Sequence, residues 1–147
     1  MIETKGGFFI SQIKQIQGRI FEKLLIEAGI NEFNGPQGRI LYVLWKEDDL
    51  SIVEISNRTG LAKTTLTSML DRMEKQGNIE RHFDSADRRK IRIRLTDKSK
   101  GLKNRYEQVS DKMSEIFYKG FSDDEIQVFD RQLEKIINNL EEELKRC

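Results

Sequence analysis

The chain has 147 residues, of which 37% are hydrophobic and 35% are charged, and its net charge is +1. This length suits one domain with a buried core, and the balance of charged and apolar residues does not predict wholesale disorder. One cysteine and one histidine exclude an intrachain disulfide and a histidine-rich metal site. No apolar run predicts a membrane span or a secretory signal, so we expect a cytoplasmic protein.

The charge is distributed unevenly along the chain. Residues 51–100 carry 12 lysines and arginines against 7 aspartates and glutamates, a net charge of +5. Residues 121–147 carry 4 basic and 8 acidic residues, a net charge of −4. A basic segment within a nearly neutral chain is the distribution expected of a module that faces a polyanion.

The first 60 residues predict three successive helices. Apolar residues at helical spacing across residues 8–28 predict an amphipathic helix. Pro36 suits the first turn of a second, short apolar helix. Ser51 can cap a third helix, for which Glu54 completes a capping box and Gly60 is the stop signal.

The stretch LAKTTLTSMLDRMEKQG, residues 61–77, predicts a fourth helix with two different sides. Leu66, Met69, Leu70 and Met73 form the apolar side, which would face the core. The solvent side carries short hydroxyls, which can bond to base edges or phosphates, and cations, which can meet phosphate or guanine. The candidate recognition residues on this side are Lys63, Thr64, Thr65, Thr67, Ser68 and Arg72.

The stretch RHFDSADRRKIRIRLT, residues 81–96, predicts a hairpin with a basic face. Its second strand alternates strictly, so Ile91, Ile93 and Leu95 would pack against the helices while Lys90, Arg92 and Arg94 face outward toward phosphates. Arg88 and Arg89 lie at the tip, where they could enter a minor groove. Asp87 could hold one of these guanidinium groups in a bidentate pair, and Asp84 could do the same or cap the turn.

Residues 51–96 therefore follow the order helix, turn, helix, hairpin, which is the plan of a winged helix-turn-helix that places its second helix in the major groove. The alternative for the hairpin alone is an ordinary solvated strand face. The helix-turn-helix order, the basic hairpin and the local charge excess together favour DNA binding.

Two longer helices follow the hairpin. Thr96 can cap a helix over residues 97–119, which Gly120 would end. Ser122 and Glu125 form a capping box for the last helix. Apolar stripes run along both helices, as they do along residues 9–24.

The sequence resembles the MarR family of bacterial and archaeal winged-helix regulators over nearly its whole length. The matching segments are GPQGRILYVLW, the helix-turn-helix SIVEISNRTGLAKTTLTSMLDRMEKQGNIER and the wing DSADRRKIRIRLT. Asp87 and Arg89 occupy the Asp-x-Arg positions of the family's wing signature, and Leu95 and Thr96 its strand end. The family commonly has a glycine three residues after this threonine, where this chain has Ser99, with glycine following at Gly101.

The resemblance implies a mainly α fold with a small β-hairpin wing, in which a winged helix-turn-helix is flanked by N- and C-terminal dimerisation helices. Residues 35–96 would bind DNA, and residues 1–34 and 97–147 would form the dimerisation region. A two-fold homodimer would read a pseudo-palindromic operator on double-stranded DNA, with half-sites about one turn (~34 Å) apart. The alternative is that the terminal helices pack only within one chain.

Family members commonly repress transcription until a signal releases them. Cys147 is poorly placed for redox sensing. His82 stands alone, and a lone histidine disfavours a zinc-responsive site. The sequence therefore predicts no metal or cofactor. The remaining class of signal is a small aromatic or anionic effector, for which Tyr42, Trp45 and Tyr106 are candidate cleft residues, although core packing is the stronger explanation of each.

Enzyme chemistry is not predicted, because no nucleophile motif, phosphate-cradling loop or paired carboxylates occur in a recognisable setting. A winged-helix protein-interaction module is the more serious alternative. Its wing would expose apolar side chains, whereas this hairpin carries five basic residues between Arg88 and Arg94. The sequence therefore predicts a DNA-binding transcription regulator, most simply a repressor.

Overall fold

The computed structural model describes all 147 residues and contains seven helices and a three-stranded antiparallel sheet. The chain forms two compact units, residues 1–113 and residues 114–147. None of the helices is both long and apolar enough to cross a membrane. The elements are α1 (Gly6–Glu27), α2 (Gly35–Lys46), β1 (Leu50–Ser51), α3 (Ile52–Thr59), α4 (Lys63–Lys75), β2 (Ile79–Phe83), β3 (Ile91–Leu95), α5 (Asp97–Lys100), α6 (Lys103–Phe117) and α7 (Asp123–Arg146).

The predicted helix boundaries in the centre of the chain are confirmed. The Ser51 side chain accepts a hydrogen bond from the backbone N–H of Glu54, and the Glu54 carboxylate accepts one from the backbone N–H of Ser51, which completes the capping box. Gly60 ends α3 with φ +76°, and Gly77 follows α4 with φ +80°. Both glycines adopt the left-handed conformation that costs other residues steric strain.

The sheet has one more strand than the sequence predicted. Its order is β1-β3-β2, so the second hairpin strand lies in the centre and pairs with β1 through Leu50 opposite Ile93 and Ser51 opposite Arg92. Strand β1 is only two residues long, which is too short for an alternating pattern to reveal. This short strand nevertheless ties the wing to the segment that follows α2.

The core of the first unit lies between the helices and the inner face of the sheet. Gly38 of α2 allows close packing there, because a Cβ atom at this position would lie 2.7 Å from Cε2 of Tyr106. The side chains buried in this core come from every element between α1 and α6 except α5: Leu25, Ile30, Phe33, Ile40, Leu41, Leu44, Leu50, Ile55, Leu66, Leu70, Met73, Ile79, Ile93, Leu95, Leu102, Tyr106 and Val109.

The prediction of a single helix over residues 97–119 is wrong, because the structure has two helices there, α5 and α6. Thr96 does cap a helix, through a hydrogen bond from the backbone N–H of Ser99 to its hydroxyl at 3.2 Å, but this helix ends after one turn. The carbonyl oxygen of Ser99 accepts hydrogen bonds from the backbone N–H of Leu102 at 3.1 Å and from the Trp45 indole at 3.0 Å. Because that carbonyl is occupied, the regular helical ladder is interrupted and begins again at Lys103.

The second unit contains the end of α6 and all of α7. Gly120 has φ +88° and the Ser122–Glu125 capping box is formed, as the sequence predicted. The hydroxyl of Tyr118 donates a hydrogen bond to Asp130 at 2.5 Å. Burial, together with this carboxylate, raises the pKa of Tyr118 to about 12. Helix α7 has no buried residue over its 24 residues.

Candidate nucleic-acid interface

The turn between α3 and α4 is held by side chains of α3. The hydroxyl of Ser56 donates a hydrogen bond to the carbonyl of Leu61 at 2.6 Å. The hydroxyl of Thr59 donates to the carbonyl of Ile55 at 2.8 Å and accepts from the backbone N–H of Leu61 at 3.2 Å. With Gly60 in the left-handed conformation, these contacts fix the angle at which α4 leaves α3.

Helix α4 buries one side and exposes the other, as predicted. Leu66, Leu70 and Met73 are fully buried, and Met69 packs partly against the same core. Ala62 provides no side-chain cap, so the first backbone N–H groups of the helix stay free for water or phosphate. All six predicted recognition residues are exposed: Lys63, Thr64, Thr65, Thr67, Ser68 and Arg72.

The wing loop is organised by two aspartates. Asp84 Oδ1 accepts hydrogen bonds from the backbone N–H groups of Ala86 at 2.8 Å and Asp87 at 3.2 Å. Asp84 Oδ2 lies 3.3 Å from Arg92 Nη1, so this residue both caps the turn and pairs with an arginine. These contacts, led by the bond from Ala86, hold the pKa of Asp84 below its ordinary value.

Asp87 forms the predicted bidentate pair, and its partner is Arg89. Oδ1 accepts from Nε at 3.1 Å and Oδ2 accepts from Nη2 at 3.2 Å. The guanidinium group of Arg89 also lowers the pKa of Asp87. The Arg89 side chain is 89% exposed, so the pair presents an oriented cation to the solvent. Neither Arg88 nor Lys90 has a carboxylate within 4 Å.

Arg92, predicted to face outward toward phosphates, has its guanidinium group paired with two carboxylates. Its Nε lies 2.8 Å from Asp49 Oδ1, and its side chain is only 28% exposed. Arg94 does face solvent, with 44% of its side chain exposed, but its Nε lies 3.3 Å from the same Asp49 oxygen. Asp49 precedes β1, and its role could not be predicted without the pairing of β1 with β3.

The inner face of the hairpin is less buried than the sequence predicted. Ile93 and Leu95 lie in the core, but Ile91 is 36% exposed. Its cross-strand neighbour Phe83 is 71% exposed. The distal part of the wing therefore carries an exposed apolar pair beside its basic residues.

Comparison with known proteins identifies the family. The MarR family model matches residues 33–91. The transcriptional regulator MgrA of Staphylococcus aureus is 31% identical over 107 residues, which cover 73% of this chain and 71% of MgrA. This chain belongs to the MarR family.

Other similar proteins extend the comparison. The transcriptional regulator TtmR of Methylorubrum extorquens is 42% identical over 88 residues, which cover 60% of this chain and 44% of TtmR, so the chain matches less than half the length of that relative. The structure of reduced AbfR bound to DNA has 26% identity and a TM-score of 0.72, and the match covers 92% of each chain. Mutant MarR from E. coli in complex with operator DNA has 21% identity and a TM-score of 0.78, over 88% of this chain and 91% of that one.

The three candidate effector residues of this MarR-family chain form one aromatic cluster. The ring of Tyr106 is 5.1 Å from that of Trp45 and 6.3 Å from that of Tyr42, measured between centroids. Tyr106 is buried, and Trp45 is half-buried and hydrogen-bonded to Ser99. Only Tyr42 is exposed, so this cluster is mainly core packing.

The first unit does contain an open cavity of about 520 Å³, beside the connection between α1 and α2. None of the three candidate aromatics lines it. Its polar lining includes Glu22, Glu32 and Gln37, and the Glu22 carboxylate accepts a hydrogen bond from the backbone N–H of Gly35 at 2.6 Å.

The single histidine and the single cysteine of this MarR-family chain belong to different units. His82 Nε2 lies 3.0 Å from Glu80 Oε2 on the same strand, and Cys147 is exposed at the end of α7. No three side chains of histidine, cysteine, aspartate or glutamate are grouped so that they could hold a metal ion.

Proposed function

We propose that this chain binds double-stranded DNA as a homodimer and represses transcription from a pseudo-palindromic operator. The observation that carries the proposal is the wing tip, where Asp87 orients the exposed guanidinium group of Arg89 between two unpaired cations. An oriented arginine loses little conformational freedom when it enters a narrow minor groove. The structure of the related AbfR bound to DNA supports DNA binding by this fold.

Each element has its own part in the proposed complex. Helix α4 enters the major groove, where the residues of its first turns contact base edges and Arg72 contacts the backbone. Arg88, Arg89 and Lys90 contact phosphates or the minor groove. The base-contacting residues are Lys63, Thr64, Thr65, Thr67 and Ser68.

The proposed dimer is supported by two uncovered apolar faces. The first half of α1 exposes Phe8, Phe9 and Ile13, at 74%, 50% and 39%. Helix α7 exposes Ile137 and Leu140, at 51% and 62%, on a strongly amphipathic helix. Soluble proteins rarely leave such faces uncovered. Residues 1–34 and 97–147 would therefore form the dimerisation region, and residues 35–96 the DNA-binding region.

In the proposed function, a small molecule releases the protein from DNA. The cavity beside the α1–α2 connection offers more room than the packed aromatic cluster. Its position next to α2 would let a bound ligand change how α1 and the DNA-binding region pack.

Fluorescence anisotropy of labelled duplexes tests the function. The protein is titrated at several salt concentrations against the DNA upstream of its own gene and against a scrambled duplex of equal length. Tight, salt-dependent binding that prefers the upstream duplex supports a site-specific regulator. No binding to either duplex at low salt would overturn the proposal and favour a protein-interaction wing, for which Phe83 and Ile91 supply an exposed apolar pair.

A further inference from the structure

A carboxylate outside the hairpin, that of Asp49, contacts two arginines of the wing strand β3. Asp49 Oδ1 lies 2.8 Å from Arg92 Nε and 3.3 Å from Arg94 Nε. Arg92 Nη2 also donates to the backbone carbonyl of Asp49, and Arg92 Nη1 lies 3.3 Å from Asp84. One carboxylate oxygen thus holds two guanidinium groups.

The short strand β1 places Asp49 at this position. Since Ser51 is opposite Arg92 and Leu50 is opposite Ile93 in the antiparallel pair, the residue before β1 falls beside Arg94. The neighbouring Asp48 steadies the loop, because its Oδ1 accepts hydrogen bonds from the backbone N–H groups of Asp49 at 2.8 Å and of Leu95 at 2.9 Å.

The backbone at Asp49 does not require a carboxylate. Asp49 has φ +62°, in the left-handed region, and is the one residue other than glycine there. Asparagine and glycine adopt this conformation at least as readily as aspartate. Replacing Asp49 with asparagine therefore removes the charge while leaving the loop conformation accessible.

Apart from Arg89, which pairs with Asp87, the five cations between Arg88 and Arg94 fall into two groups. Arg88 and Lys90, at the tip, have no carboxylate within 4 Å, whereas Arg92 and Arg94 share Asp49. Asp49 offsets part of the positive charge that either shared arginine would present to a phosphate. Sequence-independent DNA binding depends on the number of phosphates that cations neutralise, so pairing of these arginines reduces it.

We infer that Asp49 is a specificity-determining residue, which restrains Arg92 and Arg94 from binding phosphate and so limits binding to non-operator DNA. The inference rests on the proposed function of the wing. Specificity is the ratio of operator affinity to non-specific affinity. A residue that lowers the non-specific affinity without contacting a base therefore raises this ratio.

The variant Asp49→Asn tests this inference by anisotropy on the scrambled and upstream duplexes. We expect it to bind the scrambled duplex roughly threefold to tenfold more tightly at low salt, with a salt slope steeper by about one, and to lose preference for the upstream duplex. The control is Asp111→Asn, which makes the same chemical change at an exposed residue of α6 that has no ion pair, and it should behave as the wild type.

A second variant distinguishes restraint from fold support. Arg94→Gln in the wild-type background should leave the salt slope on the scrambled duplex nearly unchanged, whereas Arg94→Gln added to Asp49→Asn should return the slope toward the wild-type value. If Arg94→Gln in the wild-type background reduced the magnitude of the salt slope by about one, Arg94 would already bind phosphate in the wild type. That result would overturn the inference.

Other outcomes separate this inference from the proposed function. Equal salt slopes and affinities for Asp49→Asn and the wild type would overturn the role of Asp49 alone. Weaker binding to both duplexes with a lowered melting temperature would mean that Asp49 only supports the fold. Failure of the wild-type protein to bind any duplex at low salt would overturn the proposed function as well.

Discussion

Asp87 and Arg89 form a bidentate ion pair at the tip of the wing, with Oδ1 3.1 Å from Nε and Oδ2 3.2 Å from Nη2. Asp87 Oδ1 also accepts a hydrogen bond from the backbone N–H of Arg89 at 3.0 Å. The pair therefore fixes both the backbone and the side chain of an arginine that is 89% exposed. An exposed pair of this kind contributes little to stability, which makes orientation for a ligand its more important effect.

Arg89→Ala should weaken binding to the upstream duplex and reduce the magnitude of the salt slope by about one, because it deletes a cation near phosphate. Arg88→Ala removes the same charge from a neighbour without an ion pair. Its salt slope should fall equally, but its loss of affinity for the upstream duplex should be smaller, since Arg88 is not oriented in advance. Anisotropy titrations over a range of salt concentrations measure both quantities, and unchanged affinity of Arg89→Ala throughout that range would refute the wing role.

Thr65→Ala should change which duplex is preferred rather than the overall affinity. Thr65 is exposed on the first turn of α4, where side chains of a recognition helix reach base edges. Competition against single-base variants of the upstream duplex should reveal relaxed discrimination at one position of each half-site, worth about 1–3 kcal/mol. Equal weakening on every duplex would contradict a base-reading role.

Two glycine-to-alanine variants in helices should have opposite effects on stability. A Cβ atom at Gly38 would lie 2.7 Å from Cε2 of buried Tyr106 and 3.1 Å from Cε2 of Phe33, so overpacking of about 1–3 kcal/mol should exceed the gain in helix propensity of about 1 kcal/mol. At Gly18 of α1 nothing lies within 4 Å of the added atom, and the free energy of unfolding should rise. Denaturant titrations followed by circular dichroism would measure both, and a stabilised Gly38→Ala variant would contradict the packing.

The acid stability of the protein should depend on the two carboxylates that pair with Arg92. Folding lowers the pKa of Asp49, chiefly through its hydrogen bond with Arg92, and lowers the pKa of Asp84, chiefly through the backbone N–H of Ala86. Their contribution to stability is therefore complete above the ordinary value of 3.8 and is lost as the pH falls through the lowered folded values. When melting temperatures are measured from pH 6 downward, they should begin to decrease once the pH is below about 4.

The variant Asp84→Asn provides the comparison for this pH dependence. It should melt lower than the wild type at pH 6 and show a shallower fall in acid, because one linked carboxylate is missing. Parallel curves for the two proteins would mean that Asp84 does not contribute to acid stability.

The oligomeric state should respond to one residue of α7. Leu140→Glu places a charge on an apolar side chain that is 62% exposed in the isolated chain, so it should dissociate a dimer that covers this face. Asn138→Glu adds the same charge at an exposed polar position of the same helix and should leave the dimer intact. Sedimentation velocity distinguishes the two, and a monomeric wild type would refute the proposed dimer.

Local signals allowed much of this fold to be predicted from the sequence. The boundaries at Ser51, Gly60 and Gly77 depend on contacts within one turn of chain, so the residue types that make those contacts identify them. The exposed side of α4 follows from helical periodicity in the same way. The Asp87–Arg89 pair spans two residues, so the position of Asp87 beside the two tip arginines was enough to indicate a pair with one of them.

Contacts between distant segments were decided only by the tertiary structure. The partners Asp49 and Arg92 are 43 residues apart, and Trp45 and Ser99, whose bond accompanies the break between α5 and α6, are 54 residues apart. A two-residue strand such as β1 has no pattern of its own and exists only because β3 lies beside it. The sequence by itself therefore determined the helix boundaries at Ser51, Gly60 and Gly77 and the basic hairpin, because local chemistry specifies them. The break between α5 and α6 and the pairing of Arg92 and Arg94 with Asp49 depended on how those elements pack.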